Sequence, residues 1–126
     1  MGLKHTTAKS FSYAFDGLKT AIKNEPNMRI HLFMATFALI LGIILNLKIL
    51  EWLILAFTIF WVISLELLNT VLESLVNLVS PEMSPYAKIA KDVSAACVLL
   101  AAILSVIVGF ILFLPKILLI LQLRGQ

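Results

Sequence analysis

The sequence predicts an all-α integral membrane protein: an N-terminal amphipathic helix in the membrane interface, followed by three transmembrane helices packed as a bundle. Three observations carry this. The 126 residues are 61% hydrophobic and only 13% charged, with a mean hydropathy of +1.04, whereas a soluble domain carries roughly 25% charged residues. Long apolar stretches recur, separated by short polar or proline-bearing segments. Residues 8–25, in contrast, are amphipathic with helical spacing. The length suits one unit, a single membrane domain over residues 1–126.

Each element follows from its own pattern. In AKSFSYAFDGLKTAIKNE, residues 8–25, apolar side chains fall at Phe11, Ala14, Phe15, Leu18, Ala21 and Ile22, the spacing of one helix face. Lys9, Ser12, Asp16, Lys19 and Lys23 take the other face. A basic helix with aromatic residues on its apolar side lies in a membrane interface. Pro26 ends it, because proline disfavours helical geometry in the residue before it. The first span is expected at 29–48, with Asn46 and Lys48 marking its far end. The second, 52–79, starts at Trp52, which suits an interfacial belt, and carries a cytoplasmic extension. The loop SPEMSPY, with two prolines, separates it from the third span at 86–114. The apolar run 93–114 is enough to cross a core of about 30 Å at about 1.5 Å per residue. Pro115 and Lys116 are expected to close this helix, and the apolar tail at 115–126 either extends it or lies at the outer interface. Ala101, Ser105 and Gly109 recur every fourth residue. Small residues at that spacing let helix backbones approach closely in lipid, which points to a tightly packed oligomer.

Charge excludes one function class and sets topology. The net charge is +3 and the pI about 9.2, but the bases are dispersed among apolar segments, so no nucleic-acid surface is expected. Lys4, Lys9, Lys19, Lys23, Arg29, Lys88 and Lys91 fall on one side of the predicted spans, and only Lys48, Lys116 and Arg124 on the other. The excess places the N-terminus and the second loop in the cytoplasm. Residues 1–30 lack the early apolar core of a cleavable signal peptide. The single cysteine, Cys97, can form no internal disulfide and is expected as a buried small residue.

The chemistry is concentrated in SLELLNTVLESLVNL, residues 64–78. Glu66, Asn69, Thr70, Glu73 and Asn77 lie within a helical arc of about 100°, a polar stripe roughly 16 Å long. Glu66 sits about 21 Å along the helix from Trp52, inside or at the edge of the hydrocarbon. A carboxylate at mid-span costs about 2.5–3.5 kcal/mol, so it demands a partner, a proton or a task. Glu73 should sit at headgroup level. Glu25, Asn27, Arg29, Lys88, Lys91 and Asp92 are expected at similar depth. Two carboxylates such as Glu25 and Glu73 can hold Mg²⁺ together with waters and substrate phosphates. Lys91 can meet a phosphate as a point charge, and the deeper carboxylate suits a general base. These are the parts of phosphoryl transfer, although no Walker A or kinase-type glycine loop is present. From spacing alone, catalysis, polar glue between helices and an ion or proton path stand side by side.

The run ELLNTVLESLVNL, followed by AKIAKD at 87–92, resembles the prokaryotic diacylglycerol kinase family, whose signature reads roughly E-x-x-N-[ST]-x-x-E-x-x-x-D. FSYAFDGLKTAIKNEPNMRIH is similar to that family's opening segment. GFILFLPK resembles its Gram-positive branch, whose members act as undecaprenol kinases. The resemblance spans roughly residues 10–116. It implies a homotrimer in the bacterial plasma membrane that transfers the γ-phosphate of MgATP to a lipid hydroxyl, undecaprenol or, as the alternative, diacylglycerol. It implies Glu66 as catalytic base with Asn69 in the same active site, and Glu25 and Glu73 as the Mg²⁺ and ATP carboxylates. Tyr13, Glu82, Met83, Ser84, Lys91 and Asp92 match nucleotide-contacting positions. Two departures stand out: Asn77 occupies a position where the family usually has Asp, and PEMSP replaces a loop that often holds a histidine. From another function class, a small ion- or proton-conducting oligomer would use Glu66 and Glu73 as relays but leave Glu25, Lys91 and Asp92 without work.

Overall fold

The computed structural model describes residues 7–124, with side chains described through residue 123. Lys4 and the last two residues of the expected tail lie outside the described residues. Four helices follow in order: α1 (Thr7–Asn24), α2 (Pro26–Ile44), α3 (Ile49–Val79) and α4 (Pro85–Arg124). Among the described residues there is no strand. Three helices, α2, α3 and α4, are long and apolar enough to cross a membrane.

Each boundary has a local cause. Pro26 takes the first position of α2, where its missing N–H is not needed, so α1 and α2 meet at Glu25. The first span stops at Ile44, before Asn46 and Lys48 are reached. Asn46 adopts the left-handed conformation, φ 49°, which asparagine tolerates better than other non-glycine residues. Its N–H donates to the Ile43 carbonyl and that of Leu47 to the Gly42 carbonyl, the two bonds of a Schellman cap. The return helix is capped at once: the Glu51 carboxylate accepts the Lys48 backbone N–H at 2.7 Å. Gly42 lets this corner close. A Cβ there would stand 2.9 Å from Cη2 of Trp52 and 3.0 Å from Cδ1 of Leu47. Between α3 and α4, Ser84 caps the last helix, its Oγ accepting the Ala87 N–H at 3.1 Å.

α3 and α4 run antiparallel, as two links show. Ser94 on α4 bonds Asn69 on α3, and Lys116 near the other end of α4 pairs with Glu51 near the start of α3. The buried face of α3 carries Leu55, Thr58, Val62, Glu66 and Asn69. That of α4 carries Ala87, Ser94, Val98, Ala101, Leu112 and Phe113. Steps of three and four residues along α3, and sums of such steps from Ala87 to Leu112 along α4, keep both seams facing each other, as in coiled coils. Most other apolar side chains, Phe33, Phe60 and Leu99 among them, point outward, as expected of helices surrounded by lipid or by further copies.

Two expectations are corrected. Pro115 does not close the third span: α4 continues through it to Arg124. Proline removes one backbone donor, but in an apolar setting unwinding the following turns would strand many more backbone groups, and Lys116 is held at 3.0 Å from Glu51. Cys97 is exposed, not buried, because the packed seam passes through Ser94, Val98 and Ala101 and leaves position 97 at its edge. Within the single chain Ala101 is buried, and Ser105 and Gly109 are half-buried. A Cβ on Gly109 would meet nothing within 4 Å, since α2 stands away from α4 there and leaves an open groove lined by Ser105 and Gly109.

Candidate active site

The polar stripe of α3 begins at Glu66, whose side chain is only 1% exposed. Helix phase turns it inward between Val62 and Asn69 on the seam. Neither of its carboxylate oxygens accepts a hydrogen bond from the described residues. The nearest basic atom is Nε2 of His31 on α2, 3.9 Å from Oε2, beyond hydrogen-bond reach. Its other neighbours are negative: the carboxylates of Glu25 and Glu73 act on it electrostatically. Glu25 ends the α1–α2 junction, and although it occupies the N-cap of α2 its side chain makes no capping bond. It is half-buried. The site is therefore an enclosed acidic group, and among the described residues the imidazole of His31 is the one basic group within 4 Å of it.

One turn along, Asn69 is almost fully buried and bonded at both ends of its amide. Its Oδ1 accepts from Ser94 Oγ at 2.7 Å, and its Nδ2 donates to Glu73 Oε1 at 3.0 Å. Glu73 keeps its second oxygen outside that bond. The hydroxyls of Thr70 and Ser74 donate back to the carbonyls of Glu66 and Thr70, so they serve the helix and not the site. Asn77 is exposed at the end of the stripe.

The remaining residues singled out in the sequence are not gathered at Glu66 to the same degree. Lys91 is half-buried on α4, three residues before Ser94 and so on the same face. Asp92 is exposed and ion-paired with Lys88, one turn back. Glu82 and Met83 are exposed in the loop, where the Glu82 carbonyl accepts from the Ser80 hydroxyl. The Ser84 hydroxyl is occupied as the helix cap. Tyr13 is exposed on α1, which packs against α2 and α3.

Two residues of the site were not picked out from the sequence. Ser94 lies in a run of small residues, and its signal is its place on the 3–4 seam of Ala87, Lys91, Ser94, Val98 and Ala101. His31 reads as the start of a span; its signal is a titratable side chain at the edge of an apolar run. His31 also lines an apolar groove of about 380 Å³ between α2, α3 and α4, whose walls include Met34, Thr58, Val62, Ser105 and Phe113. The groove thus ends beside the buried carboxylate.

The donors present are hard oxygens, the ligand type that Mg²⁺ takes. Glu25 and Glu73 both act electrostatically on Glu66, so a divalent ion near them would offset that repulsion. Among the described residues no three His, Cys, Asp or Glu side chains converge closely enough to enclose a metal alone.

Comparison with known proteins gives one family. The model of the prokaryotic diacylglycerol kinase family matches residues 12–113. The undecaprenol kinase of Bacillus subtilis is 41% identical over 108 residues, 86% of this chain and 88% of that one. A diacylglycerol kinase of Synechocystis is 46% identical over 110 residues, 86% of this chain but 63% of that longer one. A diacylglycerol kinase of Haemophilus influenzae is 34% identical over 113 residues, 89% of this chain and 95% of that one.

Proposed function

This chain belongs to the prokaryotic diacylglycerol kinase family, and from that premise we propose that it is the lipid kinase that converts undecaprenol to undecaprenyl phosphate with MgATP. That it is a lipid kinase follows from the family. The choice of acceptor is supported by the match along nearly the full length of both chains to an undecaprenol kinase and by the Gram-positive-like GFILFLPK segment. Diacylglycerol is the second reading, favoured by the higher identity to a diacylglycerol kinase over part of that protein.

One observation carries the mechanism: a buried carboxylate with both oxygens free of hydrogen bonds stands beside the histidine that ends the apolar groove. The lipid hydroxyl would arrive at that end. Glu66 accepts its proton as the oxygen forms its bond to the γ-phosphorus and the bond from phosphorus to the leaving oxygen of ADP breaks. Base catalysis of this type contributes about 10²–10⁴ in rate. Asn69, held from two sides, supports Glu73. Glu25 and Glu73 would hold Mg²⁺, which when bound supplies positive charge against the triphosphate. Lys91 faces the same side as a positioned cation for phosphate. Tyr13, Glu82, Met83, Ser84 and Asp92 are proposed to contact the nucleotide, Asp92 after release from Lys88. Burial of Glu66 lets that carboxylate act with little competition from water.

The wider setting is proposed on the same footing. Lysine and arginine are concentrated in the N-terminal segment and, as Lys88 and Lys91, in the first turns of α4, which supports a bacterial plasma-membrane protein with a cytoplasmic N-terminus. The aromatic face of α1, with Phe11 and Phe15 outward, supports placement of that helix in the interface. Three thin spans with extensive outward apolar surface support assembly as a homotrimer. The deciding experiment supplies purified protein in detergent with radiolabelled ATP, Mg²⁺ and a panel of undecaprenol, diacylglycerol and ceramide. Label in undecaprenol is expected. Label only in diacylglycerol replaces the acceptor, and no label in any lipid overturns the kinase reading.

A further inference from the structure

We propose that Ser94 is a positioning residue of the nucleotide site: through Asn69 it fixes the carboxylate of Glu73 for the divalent cation that accompanies ATP. The inference rests on the reading of Glu73 as a cation ligand. Its basis is a directed chain of two hydrogen bonds, Ser94 Oγ to Asn69 Oδ1 at 2.7 Å and Asn69 Nδ2 to Glu73 Oε1 at 3.0 Å. Ser94 and Asn69 are 5% and 6% exposed, so water competes weakly for either.

An asparagine amide has two ends of nearly the same shape and opposite character. Turned over, it would set its oxygen against the Glu73 carboxylate, a repulsion. In the observed setting the hydroxyl proton of Ser94 is directed at Oδ1, the amide protons are directed at Glu73, and each bond polarises the next. The Asn69–Glu73 bond alone joins two residues of one helix, one turn apart. It says nothing about where α4 stands. The Ser94 bond joins residues 25 apart in sequence and ties Glu73 to the helix that bears Lys91. It therefore sets two nucleotide groups, the anion of Glu73 and the cation of Lys91, in one frame. With one oxygen of Glu73 fixed by the amide, the second is left in a defined direction for a metal.

The same residue acting as mere glue between α3 and α4 would change stability and leave the two substrates equally affected. A positioning role separates them. Threonine and valine have nearly equal volume, so a Ser94→Thr and Ser94→Val pair isolates the hydroxyl, with Ser94→Ala as the smaller control. Binding of Mn²⁺ with a non-hydrolysable ATP analogue to the full chain in micelles, read by electron paramagnetic resonance, needs no turnover. Loss of one buried bond should weaken that binding about five- to tenfold in Ser94→Val and Ser94→Ala. Ser94→Thr should bind at least about fivefold tighter than Ser94→Val. In turnover, KM for MgATP should rise by a similar factor while KM for the lipid stays within about twofold. Equal binding by the Thr and Val variants overturns the proposal, as does a rise in lipid KM without one in nucleotide binding. Glu73→Gln is the control for the underlying reading. If it binds Mn²⁺ and nucleotide as tightly as the parent, the role of Glu73 falls and this inference with it. If it loses binding while the Ser94 variants do not, only the role of Ser94 falls.

Discussion

Replacing Glu66 by glutamine tests the centre of the mechanism. The substitution preserves shape and removes both the negative charge and the basic oxygen. Because the native side chain is 1% exposed and neither oxygen accepts a bond, no structural hydrogen bond is lost. A neutral amide also costs less to enclose than a carboxylate in the same place. Glu66→Gln should therefore be at least as stable as the parent. Its rate should fall by the share that a general base supplies, about 10²–10⁴ in kcat, or roughly 3–5 kcal/mol of barrier. The assay is phosphate transfer from labelled ATP to undecaprenol at saturating concentrations of both, beside an unfolding titration in mixed micelles followed by circular dichroism. A kcat within tenfold of the parent in a folded variant would refute the assignment of Glu66 as base. A marked loss of stability would refute the argument that the carboxylate is a cost to the fold, and would make it a structural group.

Other predictions follow from the frame around the site. Gly42→Ala should destabilise by about 1–3 kcal/mol, because the new methyl meets the rigid Trp52 indole and Leu47; an unchanged unfolding midpoint would disprove that packing. Ser84→Ala should cost about 1 kcal/mol by removing the cap of α4, whereas Ser84→Asp should retain most of the stability, both read by the same titration. If Ser84 also contacts the nucleotide, the aspartate variant will raise KM for MgATP while keeping the cap. Lys116→Met and Glu51→Gln should each lower stability, and the double variant should lose less than their sum, since the two side chains meet at 3.0 Å. Simple additivity would show that the ion pair contributes nothing.

The fold was legible where the sequence uses periodicity and proline. The helical spacing around Phe11 and Phe15, the apolar runs and the SPEMSPY loop mark four elements. Their ends were less so. The corner at Asn46 depends on a left-handed backbone and on Gly42 admitting Trp52, contacts between residues up to ten apart that no window of composition records. Pro115 reads as a stop because local rules assume that water will receive the freed carbonyl; an apolar environment removes that option. In the site, Glu66, Asn69 and Glu73 share a face of one helix, so their proximity could be read directly. His31 and Ser94 come from other helices, and only packing brings them to Glu66 and Asn69. Ser84 shows the opposite limit: its match to a nucleotide position says nothing about the cap that its hydroxyl already forms.

The link from Ser94 to Asn69 also bears on the order in which the molecule is completed during synthesis. The α2–α3 corner is closed by contacts of short range, Gly42 with Leu47 and Trp52, and Lys48 with Glu51. Such local contacts form quickly and do not wait for distant chain. Ser94 emerges only with the last helix. Until it arrives, Glu66, Asn69 and Glu73 are all present, yet the amide lacks its second anchor and Lys91 has not been made. A nascent chain thus carries Glu66, Asn69 and Glu73 on a completed α3 before the α4 residues that pack against them exist. The helix that carries Lys91, the proposed cation for phosphate, carries the Ser94 anchor as well.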